Sequence, residues 1–169
     1  MPNPVPGQLP SADPVSRLRV LIADDNPTDR MILGRLVTQL GHEVISAEKG
    51  LEAVDRFIDQ RPDLVLLDAL MPVMDGFEAA RQIKQASGED LVPIIFLTSL
   101  TETGALVQCL EAGGDDFLTK PYNPVILQAK ILAFNRMQDM HQTLQQQRDL
   151  ISQQHQRLLQ EQQLAKIIF

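Results

Sequence analysis

Four short stretches hold the residues able to do chemistry: Asp24-Asp25, Asp68, Thr98-Ser99 and Lys120-Pro121. Each directly follows an apolar run, respectively Val20–Ala23, Leu64–Leu67, Ile94–Leu97 and a weaker one around Phe117-Leu118. Three carboxylates brought together repel one another unless a cation joins them. Hard oxygen donors with no His or Cys nearby suit Mg²⁺ or Mn²⁺ better than zinc. A divalent cation beside a lysine and a hydroxyl is equipment for a phosphoryl group. The cation and the ammonium neutralise its oxygens, and the hydroxyl donates a hydrogen bond. One carboxylate can act as nucleophile and form an aspartyl phosphate. Asp68 is the best placed, because it ends the most apolar run. It precedes Met71-Pro72-Val73-Met74-Asp75-Gly76, which reads as a tight turn with Gly76 taking the unusual backbone angles. The Lys120–Pro121 peptide is expected to be cis, turning the lysine back towards the site.

These residues meet only if the apolar runs lie side by side. A fifth run, Val44-Ile45, and four amphipathic stretches of 10–15 residues complete the pattern: Pro27–Leu40, Leu51–Gln60, Phe77–Ala86 and Glu102–Ala112. Continuous apolar strands alternating with helices predict a parallel sheet covered on both faces. Ligands of such sheets sit beyond the carboxyl ends of the strands, where all four stretches fall. Asn26 is suited to cap the first helix and Pro27 to open it. Gly41 and Gly113-Gly114 are suited to end helices.

The chain has 169 residues, 44% of them hydrophobic, and a net charge of −7. That content supports a packed core and excludes global disorder. No apolar run is long enough for a membrane span, and no secretory signal is visible. A single cysteine, Cys109, fits a cytoplasmic location. Charge is uneven: residues 1–122 hold 10 Lys/Arg against 19 Asp/Glu, and residues 123–169 hold 5 against 3. The acidic front argues against direct nucleic-acid binding and fits a cation site. Residues 1–16, with five prolines, read as a disordered leader.

From Pro124 the pattern is helical and does not stop. Apolar residues recur every seven at Met137, Leu144, Ile151, Leu158 and Ala165. Met140 and Ile168 share a second seam that Gln147, Gln154 and Glu161 interrupt. A helix from 124 to 168 would be about 65 Å long. Its stripe is expected to pair with a second copy in a parallel two-stranded coiled coil, making a homodimer. The apolar ending Leu164–Phe169 suggests a chain that continues into an output domain.

Together, Asp24-Asp25, Asp68 with Met71–Gly76, Thr98-Ser99 and Lys120-Pro121-Tyr122 resemble the receiver domain of two-component response regulators. The resemblance covers residues 17–135, leaving 136–169 as a helical linker. It implies a flavodoxin-like α/β fold with strand order 2-1-3-4-5. It also implies that Asp68 accepts phosphate from a sensor histidine kinase or phosphotransfer protein. Asp25, Asp68 and the backbone carbonyl of Leu70 would hold Mg²⁺, with Asp24 acting through water. Lys120 would pair with the phosphoryl group, Thr98 would swing to bond it, and Phe117 would rotate inward as the coupled switch. Among helically linked outputs, the ending Glu161–Ala165 looks like linkers that precede type 2C-like serine/threonine phosphatase domains, with a diguanylate cyclase as the runner-up. A stand-alone receiver acting by protein–protein binding is the alternative.

Some positions depart from the family pattern. The switch aromatic is Phe117 rather than tyrosine. Gly114 stands where the family often has alanine, which is expected to loosen that loop. Leu70 and Leu100 are apolar where they flank the water's route, so self-dephosphorylation is expected to be slow. His42, His141 and His155 read as structural or surface residues, and Cys109 as a core residue.

Overall fold

The structure, a computed structural model, describes residues 17–99 and 103–168. The expected leader and Leu100 lie outside the described residues. The chain forms β1 (Arg19–Ala23), α1 (Pro27–Gln39), β2 (Glu43–Ala47), α2 (Gly50–Gln60), β3 (Leu64–Asp68), α3 (Gly76–Ser87), β4 (Ile94–Thr98), α4 (Thr103–Glu111), β5 (Asp116–Thr119) and α5 (Pro124–Ile168). The strands make one parallel five-stranded sheet in the order β2-β1-β3-β4-β5. This is the flavodoxin-like arrangement that the family resemblance implies.

The two central strands explain the continuous apolar runs. Every residue of β3 and β4 is buried. Alternate strand residues such as Leu21, Val65, Leu67, Ile94 and Phe96 pack with Phe57 of α2, Ile83 of α3 and Cys109 of α4. Val20, Ile22, Leu66 and Leu97 occupy the alternate positions and are equally buried. Burying each such side chain stabilises the fold by roughly 1.5–3 kcal/mol. His42 is buried too, and its Nδ1 accepts the Leu18 N–H at 3.1 Å. That hydrogen bond gives it the structural role expected.

Helix punctuation follows the sequence. The Asn26 side chain accepts from the N–H groups of Thr28 and Asp29 at 2.9 and 3.2 Å. Gly41 and Gly113 take left-handed angles just past their helices, with φ of 92° and 97°. Gly114 acts differently: a Cβ there would lie 2.5 Å from two atoms of the Phe96 ring and 2.7 Å from the Cys109 carbonyl oxygen. The glycine is where the loop presses onto the core, so alanine is excluded by contact.

The chain divides into two compact units, the first ending at Leu132 and the second starting at Ala133. The second unit is helical throughout its described residues. Its aliphatic side chains, among them Leu144, Ile151 and Leu158, are largely exposed.

Candidate functional site

The strand ends deliver the four stretches to one edge of the sheet. Asp24 follows β1, Asp68 is the last residue of β3, Thr98 the last of β4, and Lys120 follows β5. Parallel pairing makes this unavoidable: Ala23 lies beside Leu67, Asp68 beside Leu97, and Thr98 beside Thr119. Carboxylate oxygens of Asp24, Asp25 and Asp68 come within 4.8 Å of one another. Asp24 and Asp68 are buried, and Asp25 is exposed.

Hydrogen bonds fix the two buried carboxylates. Asp24 Oδ1 accepts the Asn26 N–H at 2.9 Å, and Asp68 Oδ1 accepts the Leu70 N–H at 3.2 Å. The Lys120 ammonium then spans the cluster. It donates to Asp24 at 3.1 Å, Asp29 at 3.2 Å and Asp68 at 3.4 Å. The Lys120–Pro121 peptide is cis, as expected. The Lys120 N–H donates to the Thr98 carbonyl at 2.9 Å, which ties β5's end to β4's. Thr98 itself is buried.

Electrostatics follow from this crowding. Burial, followed by the Asp24 charge, pushes the Asp68 carboxyl up to about 7. The Leu70 N–H and Lys120 oppose the shift without cancelling it. Burial pulls the Lys120 ammonium down, but Asp68, Tyr122 and Asp24 outweigh it and hold the group above the usual lysine range. One ammonium is therefore too little positive charge for the cluster. All-oxygen donors, close spacing and a carboxyl that holds its proton to about pH 7 together fit a hard divalent cation.

A pH dependence follows. A carboxyl with its pKa at about 7 must lose its proton before a cation can use it. Apparent Mg²⁺ affinity should rise roughly tenfold from pH 6 to pH 8, with proton release at the lower pH. Titration calorimetry in buffers of different ionisation enthalpy measures both. Affinity that does not change across this range would contradict the assignment.

One site residue carries no sequence signal strong enough to find it, and another stands in the motif without a role of its own. Asp29 sits in the first turn of α1, where an acidic residue is ordinary helix chemistry. Tyr122 donates to Asp24 Oδ2 at 3.4 Å. One other residue has a different role from the one expected. Gly76 has no left-handed φ; the left-handed residue of the turn is Val73, at φ 68°. Glycine is required at 76 because a Cβ would lie 2.0 Å from the Asp68 carbonyl oxygen. Phe117 faces outward and is 37% exposed, with Lys130 Nζ 5.8 Å from its ring centre. Lys130 is held there by Asp116, at 2.6 Å. Phe117 and Lys130, with Pro121 and Ile126, line an open cavity of about 300 Å³.

Comparison with known proteins agrees with this geometry. A probable transcriptional regulator, ycf27 of Guillardia theta, is 39% identical over 118 residues, which is 70% of this chain and 45% of that protein. The chain spans about half the length of the curated relatives it matches. The receiver domain of sensor histidine kinase PA1611 from Pseudomonas aeruginosa, solved with a magnesium ion coordinated in its active-site cleft, superposes with a TM-score of 0.66. It is 32% identical, over 71% of this chain and 98% of that one. The Ssk1 receiver domain of Saccharomyces cerevisiae, solved with the phosphotransfer protein Ypd1, gives 0.67 at 30% identity, over 72% and 91%. The family model for the response regulator receiver domain matches residues 20–132. With fold, acidic edge and sequence in agreement, this chain belongs to the response regulator receiver domain family.

Proposed function

We propose that Asp68 is the phosphoacceptor of a two-component regulator, receiving its phosphoryl group from a histidine kinase or phosphotransfer protein. The convergence of Asp24, Asp25, Asp68 and Lys120 on one strand edge carries this reading. A carboxylate oxygen of Asp68 attacks phosphorus, the bond from phosphorus to the donor breaks, and the donor leaves with the electron pair. Asp24, Asp25, Asp68 and the Leu70 carbonyl would hold Mg²⁺, which when bound neutralises charge on the phosphoryl oxygens. Lys120 supplies the second positive charge. Thr98 and Phe117 are the switch pair, one bonding the phosphoryl group and the other leaving its outward position. Incubation with acetyl phosphate and Mg²⁺ tests this: the intact mass should rise by one phosphoryl group, and omitting Mg²⁺ should prevent it.

The receiver spans residues 17–135, and residues 136–169 relay its state as a dimeric coiled coil. Met137, Met140, Leu144, Ile151 and Leu158 are all about half exposed or more, on a stripe that needs a partner. Gln154, Arg157, Leu158 and Glu161 line a shallow groove of about 230 Å³. Those four positions form the hole that receives the opposing Leu158 in a parallel, in-register pair. Leu158→Asp should weaken dimerisation by at least ~100-fold, since a buried leucine is worth roughly 1.5–3 kcal/mol in each copy. Light scattering across a concentration series reads this, and a wild-type protein that stays monomeric at tens of micromolar refutes the dimer. The linker reads best as leading to a type 2C-like phosphatase, with a diguanylate cyclase as the second reading.

A further inference from the structure

We infer that Asp29 is a positioning residue that holds Lys120 away from the phosphoryl position and competes with the phosphoryl group for it. The inference rests on the reading of Asp68 as phosphoacceptor. An ammonium has three N–H donors. In Lys120 all three have carboxylate partners: Asp24, Asp29 and Asp68, between 3.1 and 3.4 Å away. A phosphoryl oxygen on Asp68 can be bonded by Lys120 only if one of these partners is given up.

The three partners differ in what release would cost. Asp24 is fully buried and also accepts from Asn26 and Tyr122, so giving up the lysine would leave a buried carboxylate with less charge compensation. Asp68 is the residue that receives the phosphoryl group, so its oxygen lies beside the new bond. The Asp29 side chain is 32% exposed and can be resolvated where it stands. Asp29 is therefore the partner that lets go.

Its position is set by the same cap that sets Asp24. Asn26 donates its N–H to Asp24 Oδ1 and accepts the Asp29 N–H on its side-chain oxygen, at 2.9 and 3.2 Å. One residue thus holds the Asp24 carboxylate through its own N–H and the Asp29 backbone through its side chain. The unphosphorylated site keeps Lys120 bound, and the incoming phosphoryl group must outbid Asp29.

Beryllofluoride, a phosphoryl mimic, measures the competition. With Mg²⁺, Asp29→Ala should bind it about fivefold more tightly than wild type, and Asp29→Asn should fall between. In a Lys120→Ala background the same substitution should change affinity by less than about twofold, because its effect runs through the lysine. An equal gain in that background would show plain charge repulsion and overturn the proposal, as would unchanged or weaker binding with Lys120 present. A second readout needs no ligand. The Lys120 ammonium signal in ¹⁵N NMR of the free protein should broaden in Asp29→Ala, as its protons exchange faster with water. An unchanged signal overturns the proposal by itself. A wild-type protein that takes up no beryllofluoride would instead sink the phosphoacceptor reading, and the NMR comparison would then decide Asp29's hold on Lys120 alone.

Discussion

Asp68→Asn should lose phosphoryl uptake by at least ~1,000-fold, because the amide cannot act as the nucleophile the carboxylate provides. The substitution should also stabilise the cation-free protein. The sign comes from linkage. The folded-state pKa of Asp68, about 7, lies above the ordinary 3.8, so the native state holds a proton that the unfolded chain has already lost. Stability therefore falls as pH rises from about 4 through about 7, and at pH 8 the ionised, buried carboxylate is a standing cost. Asparagine removes it, for a gain on the order of 2 kcal/mol. Urea unfolding at pH 5 and pH 8 measures this: the variant should exceed wild type at pH 8 and match it more closely at pH 5. Mg²⁺ should shrink the difference by stabilising wild type. Equal stabilities at pH 8 without Mg²⁺ would contradict the electrostatic account of the site.

Gly76→Ala should be the most damaging of the glycine-to-alanine changes among the described residues. Its Cβ would meet the Asp68 carbonyl oxygen at 2.0 Å, and Ala69 Cα and the Asp68 carbonyl carbon at 2.9 Å. All three are backbone atoms that cannot rotate away, and the Gly76 N–H donates to the Ala69 carbonyl at 3.1 Å in the same contact. Gly50 presses on the loop from another side, with a Cβ position 2.5 Å from the Met74 carbonyl oxygen. Relief requires moving the segment that carries Asp68. Loss of about 3 kcal/mol is expected, at the upper end of overpacking costs, with a drop of roughly 10 °C in Tm. The folded fraction should also phosphorylate poorly, because Asp68 moves with the loop. Val73→Gly in the same turn should do the reverse. Val73 is fully exposed at φ 68°, so glycine removes strain and no contact. Thermal unfolding of the pair separates close approach from backbone strain, and equal effects would refute the distinction.

The sheet and the acidic edge were legible because both rest on patterns the chain must display. A strand buried on both faces has to be apolar throughout, as Leu64–Leu67 and Ile94–Leu97 are, and a polar residue at its carboxyl end stands out. What escaped the sequence depends on three-dimensional approach. Asp29 is an ordinary helix-start acid until β5 delivers Lys120 beside it. Gly76 reads as a turn glycine until the turn closes on Asp68. Gly114 reads as slack in a loop, but the Phe96 ring fills the space a side chain would need. In each case the residue type suggested its commonest use, and a neighbour distant in sequence imposed another.

Phosphate should be carried as an acyl phosphate on Asp68. Borohydride reduction after incubation with acetyl phosphate and Mg²⁺ tests it most directly, because it converts an aspartyl phosphate to homoserine at the modified position. Peptide mass mapping should find homoserine at residue 68 alone, and none when Mg²⁺ is withheld. Homoserine at Asp24, Asp25 or Asp29, or phosphate that survives reduction on a hydroxyl such as Thr98, would contradict the account.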